Sequence, residues 1–150
     1  MISMKFVITF ILSFFFVSSV SAEPYSFKIL RVIDGDTVQI DAPFLPKELK
    51  QTLFLRIFGV DTPEKGKRAR CDYEDKLSQQ AKLYVELELR NAKSVLVQLK
   101  GWDKYGGRVL GDIIIDSVPL SKKLIAQNYA VPYFGKGKKK NWCQLSFKGI

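Results

Sequence analysis

Residues 53–64, LFLRIFGVDTPE, limit the fold more tightly than any other stretch. Leu53 to Phe58 alternates with period two, so Leu53, Leu55 and Ile57 face one side and Phe54, Arg56 and Phe58 the other. Thr62-Pro63 stops the strand, because proline has no N–H to give to a ladder. The stretch therefore predicts a strand over 53–60. Its end carries a cation, Arg56, and two carboxylates, Asp61 and Glu64, to one rim. An arginine flanked by two phenylalanines on a strand face must find anions or water. A surface strand with solvated charges is the plainer reading. Against it stands a second carboxylate pair upstream, Asp34 and Asp36, in a glycine turn.

The other elements arrange themselves around this strand. Residues 25–33 read as a first strand, Asp34-Gly35-Asp36-Thr37 as a tight turn, and 38–40 as its return, giving a hairpin. With 53–60 this makes a three-stranded meander, joined through a loop that holds Pro43 and Pro46. Asp72 is placed to cap a helix over 73–90 with Leu77, Ala81, Tyr84 and Val85 on one face. Strands follow at 94–99 and 109–115. Pro119 then opens a short helix over 120–127, and the tail over 135–140, rich in lysine and glycine, reads as mobile. Three strands, a helix and two strands is the order of a five-stranded Greek-key barrel of the OB type, a mainly β fold with helices that commonly binds oligonucleotides.

The first twenty-two residues have the layout of a secretory signal peptide: a short positive start, an apolar run over 6–17, and Val20-Ser21-Ala22 at the cleavage position. The run falls short of the ~20 residues that span a bilayer, although an uncleaved N-terminal anchor is the alternative. Cleavage leaves one domain over 23–150 and places the protein outside the cell or in a periplasm. Net charge falls from +9 to +8, because Lys5 is the one charged residue in the segment. Such a charge favours polyanionic partners, although a generally basic secreted protein would share it. Two cysteines in an exported chain, Cys71 and Cys143, point to a disulfide.

There is no histidine. That excludes Ser-His and Cys-His nucleophile pairs and a two-histidine ribonuclease mechanism, and two thiols alone cannot complete a zinc shell. Catalysis would have to run on carboxylates, Lys, Arg, Tyr or a metal ion. Asp36 and Asp61, at adjacent strand ends, are hard oxygen donors suited to Ca²⁺ or Mg²⁺. Thr62 could add its carbonyl, and Asp34 could orient a water from behind. An ordinary Asx turn is the plainer reading of Asp34-Gly35-Asp36. Arg56 and Arg108 are candidates to hold a phosphodiester through paired hydrogen bonds, and Glu64 to take a proton from water.

Val32-Ile33-Asp34-Gly35-Asp36-Thr37-Val38, Arg56-x4-Asp61-Thr62-Pro63-Glu64 and Asp103-Lys104-Tyr105-Gly106 together resemble the staphylococcal (micrococcal) nuclease family, the thermonuclease-like enzymes. The resemblance runs from about Phe27 to Phe134. It implies an OB barrel and Ca²⁺-dependent cleavage of DNA and RNA to 3′-phosphate ends, with easily opened or single-stranded regions preferred. By motif position it implies that Asp36, Asp61 and the Thr62 carbonyl hold calcium. Arg56 and Arg108 would hold the phosphate, and Glu64 would be the base. Lys104 and Tyr105 resemble residues that touch a terminal phosphate, and Tyr133 a tyrosine beside the base. The type enzyme reads K-Y-G-R where a second glycine precedes Arg108 here. It also has a longer C-terminal helix and no cysteines. A monomer without stable membrane association is expected after signal cleavage. The rival functions are a catalytically silent OB module that binds nucleic acid, and a secreted protein that binds anionic envelope polymers.

Overall fold

The computed structural model describes residues 24–104 and 106–147. The export signal expected over 1–22, and Tyr105, lie outside the described residues. No helix among the described residues is long and apolar enough to cross a membrane.

Six strands form the main sheet: β1 (Ile29–Asp34), β2 (Thr37–Asp41), β3 (Thr52–Ile57), β5 (Val95–Trp102), β6 (Arg108–Ile115) and the short β7 (Val118–Pro119), which pairs with β6 alone. β4 (Val60–Asp61) lies between β3 and α1 (Asp72–Asn91), and β7 (Val118–Pro119) and α2 (Leu120–Ala126) follow β6. β8 (Val131–Pro132) pairs with β4. The sheet order is β1-β2-β3-β6-β5, antiparallel except for the β3–β6 pair. This is the OB-like mixed sheet with two helices that the order of elements predicts. The sheet is not closed into a barrel, however. Among the described residues a single bridge runs between its two edges, in which Tyr25 and Val97 exchange backbone hydrogen bonds of 2.8 and 2.7 Å. Pro24 cannot donate to a ladder, and the register of β1 against β2 shifts twice, so the edge strand turns away before a second rung forms.

Alternation works as the sequence implies. Val38, Ile40, Leu55, Ile57, Val109 and Ile113 fill one core, which Val85 of α1 and Leu120 and Leu124 of α2 cover. Each such side chain contributes about 1.5–3 kcal/mol of burial. The face opposite carries Arg56 and Arg108.

Three expectations need correction. The strand over 53–60 is two elements, because Gly59 takes φ +80° and redirects the chain into β4. Phe58 keeps one last bond to the sheet, from its N–H to the Gly111 carbonyl at 2.7 Å. The helix cap is Cys71 rather than Asp72: extended backbone and a sulfur 3.4 Å from the Glu74 N–H place it there. The tail over 135–140 is drawn back onto the domain by the Cys71–Cys143 disulfide, Cα–Cα 6.1 Å. Trp142, 1% exposed, is buried beside that bond.

Candidate active site

The Asp34-Gly35-Asp36 turn is wedged against α1. A side chain at position 35 would come within 2.9 Å of the Ala81 Cβ and 3.3 Å of Thr62 Cγ2, so only glycine allows this contact. Asp34 Oδ1 accepts from the Asp36 N–H at 3.3 Å, the Asx turn of the plainer reading. Asp36 is buried, and its carbonyl accepts from the Ile57 N–H at 2.8 Å. That bond ties the turn to the end of β3, four residues before Asp61.

β3 and β6 run parallel, with Phe54 opposite Arg108 and Arg56 opposite Leu110. Arg56 and Arg108 therefore share a sheet face, one strand across and two residues along, with about 8 Å between their Cα atoms from ordinary strand spacings. Arg56 Nη1 donates to Asp36 Oδ1 at 2.9 Å, and Arg108 Nη2 to Asp103 Oδ2 at 2.6 Å. The extra glycine in the preceding turn is absorbed there: Gly106 and Gly107 both have φ near +70°. The Asp103 N–H still reaches the Arg108 carbonyl at 2.9 Å, which closes the turn.

One cleft of about 610 Å³ brings these groups together, with Asp36, Arg56, Thr62, Glu64 and Arg108 in its wall. Asp34, Lys104 and Tyr133 also line it. Asp61 is buried and meets the cleft through Lys139, whose Nζ lies 3.1 Å from Asp61 Oδ1 and 2.9 Å from Glu64 Oε1. Arg68 stands 3.4 Å from the other Glu64 oxygen.

The electrostatics separate the carboxylates. Burial pushes the Asp36 carboxyl up to about 6, and the Asp34 charge adds to this against the opposing pull of Arg56. Burial also pushes Glu64 up, but the hydrogen bond and charge of Lys139, with Arg68 and Arg56, outweigh it and hold the group below its ordinary value. Glu64 is thus ionised at neutral pH, the state a base requires.

Sequence reasoning missed three residues. Lys139 is one. Its signal was Cys143, since a bond to Cys71 must carry the preceding residues past the site. Glu74 is another: buried in the first turn of α1, it accepts from the Glu64 and Arg70 N–H groups at 3.3 and 2.7 Å and so fixes the loop that presents Glu64. Arg68 is the third, from the basic loop before the helix.

Residues 54–146 match the family described as staphylococcal nuclease homologue. The chain belongs to that family. It is 30% identical over 132 residues to an uncharacterized protein of Methanocaldococcus jannaschii, covering 74% of this chain and 60% of the relative. It is 29% identical over 110 residues to endonuclease YhcR of Bacillus subtilis, covering 69% of this chain and 8% of that protein. The chain thus spans less than two thirds of either relative. The motifs that carry the family resemblance are the ones lining this cleft.

Among the described residues, no three Asp, Glu, His or Cys side chains are grouped to hold a metal ion. The donor chemistry still suits a hard cation. Asp36 is under-neutralised even with Arg56 beside it, and at Asp61 and Glu64 a lysine ammonium fills the cationic place. Carboxylate and backbone carbonyl oxygens are the donors that a hard cation such as Ca²⁺ takes.

Proposed function

We propose that the protein is an exported, Ca²⁺-dependent endonuclease that hydrolyses phosphodiester bonds in DNA and RNA and leaves 3′-phosphate ends. The observation that carries this reading is the meeting of an ionised Glu64 with Arg56 and Arg108 in one cleft. Glu64 takes the proton from a water whose oxygen bonds to phosphorus in line with the 5′-oxygen; the P–O5′ bond breaks, and the departing 5′-oxygen takes a proton from solvent. The guanidinium groups of Arg56 and Arg108 bind the equatorial oxygens, exchanging their contacts to Asp36 and Asp103 for the phosphate as its charge grows. Asp36, Asp61 and the Thr62 carbonyl would hold calcium, which supplies charge neutralisation and orientation of the phosphate. Lys104 and Tyr133 extend the binding surface along the strand, and Tyr105 joins them by motif position.

Plasmid nicking with and without EDTA, on the mature chain and on Glu64→Gln, tests the reading. Glu64→Gln keeps the shape but cannot accept a proton, and a positioned base contributes ~10²–10⁴-fold. Nicking by Glu64→Gln at the parent rate, or full activity in EDTA, refutes the mechanism. The silent binding module draws support from Lys139, which fills the space between Asp61 and Glu64. It predicts no nicking under any condition.

A further inference from the structure

The Lys139 ammonium reaches Asp61 and Glu64 from a strap that little else holds. Backbone hydrogen bonds tie the chain to the domain as far as Tyr133, whose N–H donates to the Gly59 carbonyl at 2.9 Å. Beyond it, among the described residues, the backbone bonds only within the strap, from the Gln144 N–H to the Asn141 carbonyl at 3.4 Å. Gly135 and Gly137, at φ of +80° and +82°, let the strap bend along the cleft, whose wall includes Gly135, Lys136 and Lys139.

Past Lys139 the strap is anchored by Trp142 and by the Cys71–Cys143 disulfide. The Trp142 indole N–H is buried with no hydrogen-bond partner among the described residues, and its desolvation offsets part of what the ring gains. The covalent bond is thus the firmer anchor. Both cysteines are half-buried, so a small thiol can reach the sulfurs. Glu64 is held from the other side, by the bond from its N–H to Glu74 Oε1 at 3.3 Å. Opening the disulfide would free the lysine and leave the carboxylate in place.

We infer that the Cys71–Cys143 bond is a redox-sensitive site whose reduction by a dithiol withdraws Lys139 from Asp61 and Glu64 and opens that place to a divalent cation. The inference rests on the calcium-dependent nuclease reading and adds a regulation to it. A thiolate of the reductant bonds to one cysteine sulfur, and the Cys71–Cys143 bond breaks. The reductant's second thiol then closes its own disulfide and releases the other cysteine. The protein gains two electrons and two protons, and the dithiol loses them. A strap pinned at both ends keeps the ammonium at high effective concentration beside the carboxylates; a strap with one free end does not.

The test compares the mature chain oxidised with the chain reduced by dithiothreitol and capped on both thiols with iodoacetamide, each with and without Lys139→Met. Calorimetric titration with CaCl₂ alone reads the site. Reduction should tighten calcium binding roughly tenfold, the order of one partly exposed ion pair. It should change nothing in Lys139→Met, which has no ammonium to withdraw. In a Trp102→Phe background Trp142 is the one remaining indole, and its emission should shift to the red as the strap leaves. Far-UV circular dichroism follows the fold. A reduced parent that stays folded and binds calcium as the oxidised one does refutes the switch while the calcium reading stands. The same redox effect in Lys139→Met, or a reduced chain that unfolds outright, also overturns it, since the bond would then act on stability alone. A parent that binds calcium in neither state removes the calcium reading, and the switch with it.

Discussion

Lys139→Met removes one ammonium and keeps most of its stem. The lost group lies 3.1 Å from Asp61 Oδ1 and 2.9 Å from Glu64 Oε1. An exposed ion pair contributes ~0–1 kcal/mol, whereas stripping one partner from a buried pair costs ~3–5 kcal/mol. This pair lies between those limits, because the Lys139 side chain is 35% exposed and that of Asp61 only 2%. The expected cost is about 2 kcal/mol, discounted for the solvent around the lysine. For a domain of this size it lowers Tm by roughly 8 °C, measured by calorimetry in EDTA. Calcium should reverse much of it. If the ammonium and a divalent cation compete for Asp61, the variant binds Ca²⁺ more tightly, and its Tm rises further with added CaCl₂ than the parent's. Titration calorimetry reads the affinity directly. Burial pushes Glu64 up, and the hydrogen bond to Lys139 is the largest force opposing it. The Glu64 pKa therefore rises in the variant, and the acid limb of its pH–rate profile moves to higher pH. An unchanged Tm in EDTA, or equal calcium shifts in the two proteins, refutes the competition.

Arg108→Lys should depress kcat more than tenfold with little change in KM, as should Arg56→Lys, because a lysine cannot make the planar two-bond contact to a phosphate that develops charge. Parent-like steady-state kinetics for Arg108→Lys alone would take Arg108 out of the reaction. Cys143→Ser opens a 72-residue loop and should cost roughly 4 kcal/mol in the chain-entropy model, read as a lower denaturation midpoint. An unchanged midpoint would mean that the bond adds nothing to tail packing. Burial, opposed by bonds from Ser121 and Ile113, raises the Asp112 carboxyl above its ordinary value. The folded chain then binds this proton more tightly than the unfolded one, so the contribution is full below the ordinary value of 3.8 and is lost as pH rises through the higher folded value. The stability of the parent relative to Asp112→Asn should therefore decline with pH over that window, and a constant difference would show that the shift is absent.

The parts legible in the sequence were those whose cause is local. Period-two alternation gave β3 and its core side, and glycine between aspartates gave the turn at 34–36. The apolar face of α1 follows from Ala81 and Val85, both buried. What escaped has causes outside its own segment. Asp116 and Ser117 take φ of +49° and +69° in a hairpin to β7, and no glycine marks that turn. Glu74 reads as one more first-turn acid until the loop that closes over it is known. The open barrel follows from a single rung between Tyr25 and Val97, a tertiary outcome that no periodicity encodes. Lys139 is the instructive case. It lies four residues from Cys143, in the lysine-rich tail that reads as mobile from sequence. Given the disulfide partner, its passage beside the loop after Glu64 follows.

Two choices of the scaffold make the site, and both concern charge. The parallel β3–β6 pair sets Arg56 and Arg108 on one face, their Cα atoms about 8 Å apart, where one anion can draw on both guanidinium groups. The turn at 34–36 and the end of β4 bring carboxylates toward the same rim, where burial, with the Asp34 charge adding to it, lifts Asp36 against the pull of Arg56. In the free protein these opposed sets neutralise each other pair by pair: Arg56 on Asp36, Arg108 on Asp103, Lys139 on Asp61 and Glu64. A phosphate between the arginines would release Asp36, and a calcium ion on the released carboxylates would loosen Lys139. Each partner then makes room for the other, so nucleotide and calcium should bind with positive coupling. Lys139→Met should reduce that coupling, because the lysine no longer has to be displaced. A nucleotide affinity indifferent to calcium in the parent would show that the pairs do not exchange.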